Sequence, residues 1–171
     1  MLSSRYRVPF IVGCVMLLLA FIGVVLTDVR KDGAWSYWVY VVFLYAALSL
    51  GYNLYSRGRQ WKTTLHTFWH ELWHWVGLFL CVSLISFMVK IGIISRFLAS
   101  LEMLVLLGLT TYLIGVYFDK IFIPIGIVLG LFAASIALFD QYLYLISIPL
   151  LAIGIGIIIW IVHQSAKTLK Q

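Results

Sequence analysis

Six runs of predominantly apolar residues, each close to the length that crosses a bilayer as an α-helix, leave this chain a narrow choice of folds. They cover residues 8–26, 35–55, 64–89, 97–118, 121–139 and 142–162, and only short polar breaks separate them. Composition agrees, because 64 % hydrophobic and 11 % charged residues, with a mean hydropathy of +1.07, do not describe a soluble globule. The expected fold is all-α: a polytopic transmembrane helical bundle of about six spans, with no soluble domain. Breaks this short make successive spans antiparallel neighbours.

The first run, Val8 to Leu26, is nineteen residues long, too long for the apolar part of a secretory signal, and no small-x-small cleavage site follows. It reads as a span with Pro9 in its first turn. The second carries Trp35, Tyr37, Trp38 and Tyr40 near one end and Tyr52 and Tyr55 near the other, as aromatic belts at two interfaces would. Cys14 and Cys81 both fall inside apolar runs and outline no disulfide framework. The net charge of +6 is accounted for by basic residues flanking spans and calls for no nucleic-acid partner. The bilayer itself is the expected partner, with room for other membrane-protein subunits.

Three of the four histidines lie within ten residues, His66 to Trp75, reading H-T-F-W-H-E-L-W-H-W. Inside that stretch His70, Glu71 and His74 form His-Glu-x-x-His. On a helix the two histidines project from one face and could share a Zn²⁺, while Glu71, offset by about 100°, suits a base acting on metal-bound water. His66, His70 and His74 advance by only about 40° per step, and Gly77, Cys81 and Met88 fall near the same stripe.

The pentad resembles the zincin motif, and in a membrane chain the nearest family is the site-2 protease group of intramembrane zinc metallopeptidases. The resemblance covers five residues and one aspartate. It implies a membrane-embedded zinc peptidase working near the cytoplasmic face, with His70 and His74 as metal ligands, Glu71 as catalytic base and, as third ligand, an aspartate at the start of a later helix. Asp119 matches that aspartate in position but is followed by Lys120 where the family has glycine, and Trp73 stands within the pentad where the family usually has a small residue.

Two other readings stay open. A stripe of His, Gly and Cys facing the bundle would serve helix packing in a non-enzymatic accessory or assembly subunit of a membrane complex. Alternatively two of His66, His70 and His74 together with His163 would hold haem or conduct a soft metal, and Cys81 with Met88 would suit copper; by its level in the membrane His163 is also a rival to Asp119 as third zinc ligand. Among the other polar residues, Glu102 is expected to pair with Lys90 or Arg96 across a short hairpin. Gly126, Gly130 and Ala134 form a small-residue ridge suited to close helix packing.

Orientation follows from the basic residues. With the N-terminus inside, Arg5, Arg7, Arg57, Arg59, Lys62, Lys120, Lys167 and Lys170 face the cytoplasm, against Arg30, Lys31, Lys90 and Arg96 outside, eight to four. The expected location is a plasma membrane of the bacterial inner-membrane kind, with both termini cytoplasmic. His70 would then lie about 10 Å into its helix from the surface that also carries Asp119. Reporter fusions after Leu26, Gly58, Ser95, Asp119, Asp140 and Gln171 are expected to alternate from outside to inside. An external C-terminus would overturn the orientation.

Overall fold

The computed structural model describes residues 4–30, 34–57, 61–138 and 143–168, and every element of regular structure among them is an α-helix. These are α1 (Ser4–Val29), α2 (Ala34–Arg57), α3 (Trp61–Lys90), α4 (Arg96–Tyr117), α5 (Phe122–Leu138) and α6 (Leu143–Thr168). The fold is an all-α helical bundle, as the apolar runs require. The expected connections over residues 31–33, 58–60 and 139–142 lie outside the described residues.

Four helices contain stretches long and apolar enough to cross a bilayer: Val8–Val29, Ala34–Ser56, Phe68–Lys90 and Arg96–Tyr117. The apolar stretches described in the last two, Phe122–Ala137 and Ile146–Ile161, are shorter than the spans expected there. At 1.5 Å per residue they cover roughly 24 Å, against a hydrocarbon core of ~30 Å. Helix α1 begins before the apolar run does, so Pro9 sits inside the helix and not in its first turn. There its missing N–H removes one bond of the ladder.

The helices form a closed ring of four with one helix seated on each flank. α1 packs on α2, α2 on α4, α4 on α5, and α5 back on α1. α3 lies against α2 and α4, and α6 against α1 and α5.

α4 and α5 make the most intimate pair, because glycines let their backbones touch. A Cβ at Gly126 would lie 2.5 Å from the Tyr112 nitrogen and 2.7 Å from the Gly108 carbonyl oxygen, and one at Gly115 would run into the Ile123 backbone. The expected ridge is therefore a packing surface at Gly126, but Gly130 is open and Ala134 is exposed. Its partners on α4, Gly108 and Gly115, complete it.

α1 and α2 are joined differently, by side-chain donors reaching α1. Tyr37 Oη donates to the Leu19 carbonyl at 2.6 Å, Trp38 Nε1 to Thr27 Oγ1 at 2.9 Å, and Tyr45 Oη to the Met16 carbonyl. Trp38 and Tyr45 are wholly buried and Tyr52 nearly so. The expected belt thus reduces mainly to Tyr40 and Tyr55, which point outward. A tyrosine or tryptophan that can reach a partner helix gains both packing area and a satisfied polar tip, which outweighs an interfacial position.

The break between α3 and α4 is as tight as its length predicts. Gly92, at φ 79°, takes the left-handed position, with Gly92 N–H donating to Val89 and Ile93 N–H to Met88. Ser95 then caps α4 by accepting from Leu98 N–H at 3.2 Å. The pairing expected across this hairpin is not made: among the described residues no ion pair joins Glu102 to Lys90 or Arg96. Arg96 and Glu102 are six residues apart on one helix, a rotation of about 600° that leaves them on different faces.

The glycine contacts generate a graded prediction. Gly126→Ala should lower the thermal stability of the detergent-solubilised protein by about 1–3 kcal/mol, since its Cβ meets backbone that cannot give. Gly130→Ala, whose Cβ meets nothing within 4 Å, should be close to neutral. Equal effects at the two positions would refute the close α4–α5 approach.

Candidate functional site

Which face α3 turns inward decides what the histidine stretch can do. Among the side chains of α3 described, from Phe68 on, the buried ones are Glu71, Trp75, Leu78, Val82 and Ile85, a regular stripe at helical spacing. The stripe expected against the bundle runs along the other flank: His70 and Gly77 are exposed, His74 and Cys81 half-buried, and Met88 points outward. The physical reason is area and pairing. Trp75, Leu78, Val82 and Ile85 offer more apolar surface than His70, His74, Gly77 and Cys81, and Glu71 finds donors on the inside. His66 belongs to α3, but its side chain lies outside the described residues.

Glu71 has no exposed surface. One carboxylate oxygen accepts from Ser49 Oγ and the other from Asn53 Nδ2, both on α2. One turn along the same face, Tyr52 Oη donates to Asp119 Oδ2 at 2.9 Å, and Asp119 Oδ1 accepts from the Ile121 N–H at 3.2 Å in the turn that enters α5. Tyr45, Ser49, Tyr52 and Asn53 recur at i, i+4, i+7 and i+8, so one stripe of α2 serves α1, α3 and the α4–α5 turn. Ser49 and Asn53 carry no charge and do not titrate, so a search for catalytic residue types passes over them. The signal that finds them is polar periodicity in an apolar span.

The pentad's own geometry separates its members. The offset that would suit Glu71 to a metal-bound water instead carries its carboxylate into α2, away from the exposed flank that bears His70. His74 Nδ1 lies 2.9 Å from the His70 carbonyl, to which it donates in the tautomer that carries its proton on Nδ1. Its ring packs edge-on against Phe118, with centroids 5.7 Å apart, and tilts against Tyr117 at 5.8 Å. The residue after Phe118 is Asp119, so His74 packs against the immediate chain neighbour of this aspartate.

Among the described residues the donor set of a metal site does not close. A catalytic zinc needs three protein ligands and an open position. Among the described residues no group of three or more His, Cys, Asp or Glu side chains is placed to hold a metal ion. His163 is exposed near the end of α6, and the four-helix ring lies between α6 and α3. Outside the ring, Trp69 and Trp73 project from the same outer side of α3 as His70, whereas Trp75 is wholly buried. No protein-family model, curated protein or solved structure matches this chain.

Proposed function

We propose that this chain is a non-enzymatic accessory subunit of a membrane complex, in which the His-Glu-x-x-His stretch fastens α3 to α2 and presents the opposite flank of α3 to a partner helix. The observation that carries this reading is the enclosure of Glu71 by Ser49 and Asn53. A carboxylate so held is a helix-to-helix clasp. Both of its oxygens are engaged and the residue has no exposed surface.

The outward flank of α3 supports the second half. Only 22 % of its apolar window is buried, against 39–44 % for the windows in α1, α2 and α4. Trp69, Trp73, Leu80, Leu84 and Phe87 stand exposed along it, and Gly77 makes a notch in the row, since an added Cβ there meets nothing within 4 Å. Large side chains around a small residue are what a second helix needs to approach closely in lipid.

The peptidase reading has one observation in its favour. His74 uses Nδ1 on a backbone carbonyl, the arrangement in which a metal-binding histidine keeps Nε2 for the ion.

A single set of variants separates the two. In the accessory-subunit reading, Glu71→Ala strands Ser49 and Asn53 and should cost about 2 kcal/mol of stability, while Glu71→Gln, which keeps an acceptor and a donor in place, costs less than half of that. Ser49→Ala should add little to Glu71→Ala, because the bond is already lost. A photo-crosslinker at Gly77 should capture one defined membrane partner in native membranes, and one at Ile153 on α6 should not. Stoichiometric zinc in protein purified without chelator, lost in His70→Ala and His74→Ala, would overturn this reading in favour of the peptidase. So would hydrolysis lost in Glu71→Gln with zinc retained.

A further inference from the structure

On the flank of the ring opposite α3, α5 and α6 enclose a groove of about 360 Å³. That volume falls within the range of small-ligand sites, about 300–1,000 Å³. Its walls are apolar, with Ile127 and Leu131 from α5 and Leu150 and Ile157 from α6. The two helices run in opposite directions, so Lys120, before α5, and Trp160, near the end of α6, share one end of the groove, while Leu131 and Leu150 share the other.

We propose that this groove holds one acyl chain of an anionic phospholipid, with the phosphate on Lys120. Three observations converge. The first is charge: among the described residues Lys120 is the only ionisable one lining the groove, it is exposed, and no carboxylate among them pairs with it. The nearest carboxylate in sequence, Asp119, is engaged by Tyr52 and by the Ile121 N–H. The second is length. From Lys120 to Leu131 and from Leu150 to Ile161 the lining spans twelve residues on each side, eleven rises that make roughly 16 Å at ~1.5 Å each. That is about half of a ~30 Å hydrocarbon core, the depth of one leaflet. The third is the position of Trp160, a residue 60 % exposed at the same end as the lysine. An indole beside an ammonium is the pairing found at headgroup level, with the apolar body in the chains and the N–H toward the polar layer.

A neutral lipid would gain the apolar walls but not the charge. A free fatty acid would fit the groove with its carboxylate at Lys120 but would leave the second chain and glycerol of a phospholipid unaccounted for, and the test distinguishes them. The site does not depend on the role assigned to α3.

The full chain, purified in detergent and stripped of lipid, is titrated with phosphatidylglycerol, phosphatidylcholine of the same chains, and oleate, and bound lipid is counted by native mass spectrometry. One lysine at a surface supports a preference of about fivefold for phosphatidylglycerol over phosphatidylcholine. Lys120→Gln should bring that ratio to near one with the protein still folded, since the residue is exposed. Leu131→Trp, which fills the deep end, should weaken both phospholipids alike and preserve the ratio. Lys90→Gln, at an exposed position outside the groove, should change nothing. Equal binding of the two phospholipids by the unaltered chain would overturn the proposal. So would a preference that survives Lys120→Gln, binding indifferent to Leu131→Trp, or oleate bound in place of phosphatidylglycerol.

Discussion

Where α3 sits, and which of its residues reach the outside, depends on one arrangement: a carboxylate inside an apolar bundle, held by a serine and an asparagine from the neighbouring helix. In hydrocarbon there is no water to accept the failure of such a bond, so a glutamate enters the interior only with its donors in place. Once Glu71 faces Ser49 and Asn53, helical geometry fixes the rest. Trp75, Leu78, Val82 and Ile85 follow it inward, and His70, Trp73 and Gly77 are carried outward.

The bundle uses two kinds of fastening, and they are divided between its halves. On the α2 side the joints are polar side chains: Tyr37, Trp38 and Tyr45 to α1, Ser49 and Asn53 to α3, Tyr52 to the α4–α5 turn. On the α5 side the joint is the lack of side chains, with Gly108, Gly115 and Gly126 bringing two backbones together. Both answer the same difficulty. Lipid tails are as apolar as leucine, so helices in a membrane gain little by burying leucine against leucine and must associate through hydrogen bonds or close van der Waals contact.

The fold class was legible because its determinant is one-dimensional. Apolar length and short breaks can be counted along the chain, and Gly92 and Ser95 close the α3–α4 hairpin where the polar residues fell. Rotation about each helix axis was not legible. The histidine flank and the Glu71 flank of α3 are both periodic, and nothing in α3 itself says which meets α2. That answer lies in Ser49 and Asn53, whose polarity matters only once α2 is known to lie alongside. The same blindness put Trp38 and Tyr52 in an interfacial belt, although their partners, Thr27 and Asp119, are distant in sequence. It also paired Glu102 with basic residues that are near in number but not in direction.

The closed ring has a consequence for how the chain is made. α1 meets α2 as soon as the second helix is synthesised, and α3 finds Ser49 and Asn53 one helix later, but the contact between α1 and α5 that shuts the ring waits until α5 is made. Until then the face of α1 that carries Phe21, which meets Phe132 of α5, has no α5 to cover it. Lipid is a tolerable stand-in for α5 on that apolar face, which an aqueous compartment would not be, so the half-built bundle is sheltered by its solvent where a soluble domain of the same topology would need a chaperone.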